Sequence, residues 1–263
     1  MISQKYPLID AHCHLTWKSF DNDLDDVIKR ARQNNLKAVI TVSATINEAE
    51  KNLEICRKYK NYIFPCMGLI PRLYFEKKSI ELLKQKIEKY QNEIVGIGEV
   101  GLDFYWVKER AKRSEMVKKF QELLPFIKKM GIPLVIHARD AEHKTMKILR
   151  KHNFDDYKVL FHCYAGDANT IKEIVSNTCW FFTVPTSVTY RAANINAAKH
   201  IPLDRMMLET DAPFLAPNRN IKRNEPKNIT ISVKNVAKLK KVSVGRVANE
   251  TTKNAIDFFN LKI

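Results

Sequence analysis

The 263-residue chain is predicted to be an α/β protein, a (β/α)8 TIM barrel with C-terminal helices. Three observations lead there. Eight short apolar runs, rich in β-branched and aromatic residues, recur along the chain, and each ends in polar residues. Segments with helical spacing separate the runs. Near-continuous apolar strands also need cover on both faces, which a parallel sheet wrapped in helices supplies. A doubly wound open sheet is the main competitor. The two differ in where the chemistry falls, because barrels gather functional groups from the carboxyl ends of several strands.

The first run is "YPLIDAH", followed by a helical segment carrying Leu24, Ile28 and Ala31 or Arg32 on one face. The second is "KAVITVSA", followed by Leu53 with Cys56. The third is "YIFPCMGL", followed by Leu83, Ile87 and Tyr90. The fourth, "IVGIGEVGLD", leads into a long helix with Met116, Phe120, Leu123, Ile127 and Met130 on its apolar face. Pro125 lies inside that helix and has no N–H to donate, so a kink or a break in the ladder is expected there. "PLVIHARD", "KVLFHCYAG", "CWFFTVPT" and "RMMLETDAP" complete the eight, with Asp140 expected to cap the helix after the fifth. Two further helices, roughly 229–240 and 244–260, close the chain, the second introduced by Ser243 as N-cap. No repeat, low-complexity segment or linker marks a boundary, so residues 1–263 read as a single domain.

Composition narrows the class. No apolar run approaches the length of about twenty residues that a membrane helix needs. "MISQKYPLID" lacks the basic, apolar and small-residue zones of a signal peptide. The five cysteines form an odd set with no CxxC pair, which argues against a disulfide framework and against a cysteine zinc site. A cytoplasmic protein is expected. Lys and Arg number 45 against 29 Asp and Glu, a net charge of +16 that attracts polyanions such as nucleic acid. Half of the excess lies from Pro217 onward, where eleven Lys and Arg face three Asp and Glu.

The strand ends carry an unusual set of polar residues. His12 and His14 follow the first run, Glu99 the fourth, His137 the fifth, His162 the sixth and Asp211 the eighth. Alternation along a strand sends His12 and His14 to one face. A single strand-end histidine is ordinarily a satisfied core residue, and His143, His152 and His200 fall in helical or loop stretches. Four histidines and two carboxylates at one end of a barrel would be costly unless they share a cation. Imidazole and carboxylate ligands suit zinc, manganese or ferrous iron, and magnesium if waters complete its shell. Six ligands exceed one tetrahedral ion, so two divalent metal ions (Zn, Mn or Mg) are implied, with Glu99 placed to bridge them. Such ions provide a nucleophile at ordinary pH, and Asp211 is the group to take its proton.

"IDAHCHL", "GIGEVGLDFYW", "PLVIHARD", "FHCYAG", "LETDAPFLAP", "RNEP" and "TTKNAIDFF", in this order between residue 9 and about residue 259, resemble the TatD family of metal-dependent deoxyribonucleases within the amidohydrolase-like barrels. The resemblance implies that His12, His14, Glu99 and Asp211 hold one metal and that Glu99, His137 and His162 hold the other. With Glu99 in the bridging place, a carboxylated lysine is not expected. The resemblance also implies a phosphodiesterase acting on DNA, often trimming 3′ ends in a 3′-5′ exonuclease manner. Some relatives remove D-amino acids from tRNA, so nucleic acid (DNA, RNA or tRNA) is the expected partner. Arg139, two residues after His137, should share its face and reach a phosphate oxygen, unless it pairs with Glu209 or Asp103. Arg223 in "RNEP" is a second phosphate candidate, with Glu225 as its internal partner. Phe104, Tyr105, Trp106 and Tyr164 stand where an unstacked base would lie, although at least half of them should be loop packing.

Two departures matter. Where the family has a histidine in a GxHP pattern, this chain reads "GLIPR", with Ile70 in its place and Arg72 as a replacement candidate. After the seventh strand a serine-glycine turn gives way to "FFTVPTSVT". Three readings follow: a dinuclear phosphodiesterase on nucleic acid; an ester or amide hydrolase such as a D-aminoacyl-tRNA deacylase, kept open by Ile70; and a nucleic-acid binder without turnover, which six intact ligands oppose.

Overall fold

The computed structural model describes residues 6–263, so the first five residues of the stretch weighed as a signal peptide lie outside the described residues. Each anticipated run yields a strand: β1 (Leu8–Cys13), β2 (Leu36–Ser43), β3 (Ile63–Met67), β4 (Gly96–Asp103), β5 (Leu134–Arg139), β6 (Val159–Phe161), β7 (Phe181–Val184) and β8 (Met206–Leu208). They pair in parallel, in sequence order, in one eight-stranded sheet. Seven helices alternate with them: α1 (Leu24–Gln33), α2 (Ala49–Lys58), α3 (Ser79–Tyr90), α4 (Arg110–Met130), α5 (Glu142–Lys151), α6 (Ala168–Asn177) and α7 (Ala192–His200). Helices α8 (Ile229–Lys240) and α9 (Val244–Phe259) follow β8, and Ser243 caps α9 by accepting the Arg246 N–H at 3.2 Å.

The sheet curls until β8 meets β1, and side chains help to join that seam. Asp10, fully buried on β1, accepts the Thr210 N–H at 2.8 Å and the Thr210 hydroxyl. Just beyond, the Asp211 N–H reaches the His12 carbonyl at 3.0 Å, and the His14 N–H reaches the Ala212 carbonyl at 2.7 Å. These bonds satisfy backbone groups that a barrel closed only by its ladder would leave to the neighbouring strands.

The core has two parts. Inside the barrel, Ile9, Ala11, Ile40, Val42, Cys66, Val135, Leu160 and Met207 pack with Phe258 and Phe259 of α9. The last helix therefore plugs the amino-terminal end, and burying each phenylalanine contributes about 1.5–3 kcal/mol. Between sheet and helices lies the larger layer, to which α4 brings Met116, Phe120, Leu123, Leu124 and Ile127. That buried face runs across Pro125, and α4 continues as one helix on both sides of the proline. Asp140 does not cap α5. It sits in the left-handed region with φ of 55°, and the Glu142 carboxylate takes the Ala141 N–H at 3.0 Å instead.

Two irregular registers aim the functional end. Along β1, Asp10 pairs with Val39 but Cys13 pairs with Thr41, so three residues pass for two. Ile9 and Ala11 face the interior before this bulge, and the parity then switches so that His12 and His14 do. Along β4, Ile97 pairs with Leu134 and Val100 with Ile136, the same three-for-two step, and Glu99 lies within it. Gly101 lets β5 approach, because a Cβ there would stand 2.1 Å from the His137 carbonyl oxygen at a φ of +146°. No helix among the described residues is long and apolar enough to cross a membrane, and the five cysteines are free thiols.

Candidate metal centre

All six strand-end residues converge. His12 Nε2 and His14 Nε2 are 3.3 Å apart, and Asp211 Oδ1 lies 3.8 Å from the first and 3.4 Å from the second. Glu99 Oε1 stands 3.6 Å from His14 Nε2. The other oxygen of the same carboxylate, Oε2, lies 2.8 Å from both His137 Nδ1 and His162 Nε2, which are 3.2 Å from each other. Among the described residues three groups could hold an ion: His12–His14–Glu99 and Glu99–His137–His162, which share Glu99, and His12–His162–Glu209.

The donor set fits cations. His14 Nδ1 donates to the Val42 carbonyl at 3.2 Å, which leaves a lone pair on Nε2. His137 Nε2 donates to Asp103 at 3.0 Å, which turns the Nδ1 lone pair toward Glu99. Lone pair then faces carboxylate oxygen at hydrogen-bond distance, an arrangement that needs a proton or a cation between the atoms. The electrostatics agree. Burial opposes charge on His162, yet Glu99 and Glu209 outweigh it and hold the imidazole pKa well above its usual value. Burial is likewise outweighed at His14, by Asp211 and Glu99, and the pKa rises to about 9. Glu99 goes the other way: burial would raise it, but His162 and His137 hold it well below the carboxylate range. His12 is driven down, first by burial and then by His162 and His14. The cluster thus calls for positive charge while one member stays neutral, as ligands to divalent ions require.

Three carboxylates that the sequence reading assigned to no metal-site role support this set. Asp103 fixes the His137 ring and is itself held by the Trp106 N–H at 2.9 Å. Its signal was available, since it stands four residues after Glu99 on the same strand face. Asp10 anchors the segment carrying Asp211. Glu209, two residues before Asp211, is fully buried, and its Oε1 lies 3.8 Å from His162 Nδ1.

The cluster forms the floor of a cavity of about 950 Å³ whose wall includes Tyr105, Trp106, Arg139, Arg191, Arg219 and Lys222. Arg139 pairs with neither Glu209 nor Asp103. Its guanidinium lies over the Tyr105 ring at 3.8 Å and near the Trp106 ring at 5.6 Å. Trp106 is 64% exposed on the rim, whereas Tyr164 is buried against Phe161 and Phe182 and Phe104 packs under Arg113. Half of the anticipated aromatics are therefore packing. Phe214, backed by Trp17 at 5.0 Å, adds an exposed ring on the side of His14.

Arg72 and Ile70 do not line the cavity; Arg72 is exposed on the turn after β3. Arg223 is not brought to the cavity either. It makes a bidentate pair with Asp23 at 2.7 Å, bonds Glu225 at 3.0 Å and the Ser19 carbonyl, and covers the Phe20 ring. Arg30 clasps Glu225 from the other side at 2.8 Å and 2.9 Å. This network ties the segment after β8 to α1. Arg223→Ala should lower stability by about 1–3 kcal/mol, a shift of a few degrees in melting temperature, with little effect on metal content. The Arg223 bond holds Asp23 below the carboxylate range, and Arg30 and Arg223 overcome burial to do the same for Glu225. The contribution is present above pH of about 4 and is lost as pH falls through the lowered values, so the melting difference between parent and variant should shrink in acid. A difference constant from pH 7 to pH 3 would rule out the ionic origin.

Comparison with known proteins agrees with this geometry. The family model for TatD related DNase matches residues 9–260. The chain is 32% identical over 266 aligned positions to the human deoxyribonuclease TATDN3, covering 96% of this chain and 94% of that one. It is also 32% identical over 256 positions to the uncharacterized metal-dependent hydrolase MJ1582 of Methanocaldococcus jannaschii, covering 97% and 98%. In fold it is similar to the crystal structure of the Escherichia coli TatD homolog YJJV, with a TM-score of 0.87 at 23% identity over 97% of this chain and 98% of the other. A barrel with histidines and carboxylates gathered at the carboxyl ends of its strands, matched by that family model almost from end to end, places this chain in the TatD-related DNase family of metal-dependent hydrolases.

Proposed function

We propose that this protein is a single-domain, dinuclear metal-dependent phosphodiesterase acting on nucleic acid, a deoxyribonuclease in class. The observation that carries the reading is the Glu99 carboxylate, whose two oxygens address two different histidine groups. In this reading His12, His14, Glu99 and Asp211 hold one divalent ion and Glu99, His137 and His162 the other. When bound, such ions supply Lewis-acid neutralisation of phosphoryl charge and a nucleophile at neutral pH. Val42 and Asp103 fix the rings of His14 and His137. Asp211, at 13% side-chain exposure the most open carboxylate of the cluster, accepts the nucleophile's proton and returns it to the leaving oxygen. Arg139, Arg191, Arg219 and Lys222 line the cavity, and none forms an ion pair with a carboxylate among the described residues. Unpaired cations around a deep site favour an anionic, extended substrate. Ile70 lies outside that wall, which removes the particular reason to favour an ester or amide bond.

The test is parallel incubation of metal-loaded protein with end-labelled single-stranded DNA, RNA and D-aminoacyl-tRNA. Cleavage of phosphodiester bonds is expected. Cleavage confined to the aminoacyl ester would overturn the reading. Affinity for the strand should fall with salt by ~0.7 log units per log unit of salt for each phosphate contact. Arg139→Ala should flatten that slope by about one contact, and should lower turnover of nucleic acid more than hydrolysis of a small phosphodiester. Equal loss on both substrates, with a lower melting temperature, would make Arg139 structural.

A further inference from the structure

The four histidines of the centre differ in what holds their outer nitrogens. His14 has the Val42 carbonyl and His137 has Asp103. Among the described residues, His12 Nδ1 and His162 Nδ1 have no hydrogen-bond partner, although both atoms are buried. The two rings stack face to face, centroids 4.0 Å apart and 9° from parallel. A third buried atom in the same position is Glu209 Oε1, while the other oxygen of that carboxylate accepts the Thr183 hydroxyl at 2.5 Å. Ligand-type atoms of His12, His162 and Glu209 lie within 4.8 Å of one another. Each member of this group thus carries one buried atom without a hydrogen-bond partner: His12 Nδ1, His162 Nδ1 and Glu209 Oε1. Leaving all three unsatisfied would cost several kcal/mol.

We propose that Glu209 is a positioning residue shared by both halves of the metal centre, its Oε1 accepting from the outer nitrogens of His12 and His162 directly or through one water. This rests on the dinuclear reading above, because His12 belongs to one group and His162 to the other. The gap of 3.8 Å from Oε1 to His162 Nδ1 is about an ångström beyond a hydrogen bond. A slight turn of the ring or carboxylate, or one bridging water, closes it. With its outer nitrogen occupied, each imidazole keeps its lone pair on the nitrogen that faces the ions. The side chain is sealed from the cavity and never touches substrate. Its action is on metal affinity, through one ligand of each group.

Zinc(II) titration against a chromophoric chelator tests this in the parent, Glu209→Gln, Glu209→Ala and Asp103→Asn proteins. Partners of ligating histidines are typically worth about 10–100-fold in metal affinity. Glu209→Gln keeps the shape and should weaken both binding steps by about tenfold. Glu209→Ala should weaken both by up to about 100-fold. Asp103→Asn, which touches only His137, should weaken one step. The melting temperature of the chelated proteins separates folding from positioning, and the isosteric Gln variant decides if the Ala variant does not fold. Unchanged zinc affinity in Glu209→Gln, or a loss confined to one step, overturns the proposal whatever happens to the melting temperature. A parent protein that takes up a single zinc overturns the dinuclear reading instead, and the affinity of Glu209→Gln at that one step still decides whether Glu209 acts on the metal.

Discussion

Glu99→Gln is expected to reduce turnover by at least about 100-fold and to release bound metal, because it removes the one charge shared by both groups. Outer partners of metal-bound histidines are already worth about 10–100-fold, and a carboxylate that faces both groups should exceed them. The amide keeps the volume of Glu99, which is 4% exposed, but it offers a single acceptor oxygen where the carboxylate offers two. Its NH2 would point at His14 Nε2 or at the His137–His162 pair, placing donor hydrogens where lone pairs and a cation belong. Metal content after gentle chromatography should fall from near two per chain to one or none, while the chelated variant melts near the chelated parent. A variant with full metal content and full turnover would exclude a bridging carboxylate.

The second large effect is expected at Asp211, and it should differ in kind. Asp211→Asn retains an oxygen toward His12 and His14, so metal content should hold, while kcat drops by about 10²–10⁴-fold through loss of the proton acceptor. The backbone tolerates the change. Asp211 sits at φ of 55°, a region asparagine enters readily, and its N–H bond to the His12 carbonyl is independent of the side chain. Metal analysis alongside kcat across pH separates the roles. If kcat and metal content fall together, Asp211 is a ligand alone and the proton acceptor must be sought elsewhere on the cavity wall.

Much of this was legible in the residues. The eight apolar runs, the capped last helix and the gathering of six polar residues at the strand ends required only alternation and helical spacing, because those patterns record which face of each element is dry. His12 and His14 were readable as a pair since two residues of spacing keeps them on one face. Arg139 was rightly placed near His137, but its bed of aromatic rings was not foreseen, because the loop after the neighbouring strand β4, more than thirty positions earlier in the chain, supplies Tyr105 and Trp106.

The three-dimensional fold decided the rest. Nothing local in "LIDAHCHL" says that a bulge switches the strand's parity between Ala11 and His12, since a bulge is a mismatch with a partner strand distant in sequence. Arg223 looked like a phosphate ligand from its motif; only folding brings Asp23, 200 positions away, to its guanidinium. The partners of the ligand histidines are likewise long-range. Asp103 meets His137 across 34 positions, and Glu209, just after β8, stands 3.8 Å from His162, just after β6. Sequence by itself determined which side chains sit at the ends of which strands, because burial periodicity is a local property. Which of those ends face each other, which carboxylate steadies which ring, and which arginine is free to meet a phosphate depend on closing the sheet, and no local pattern encodes distances across a closed barrel.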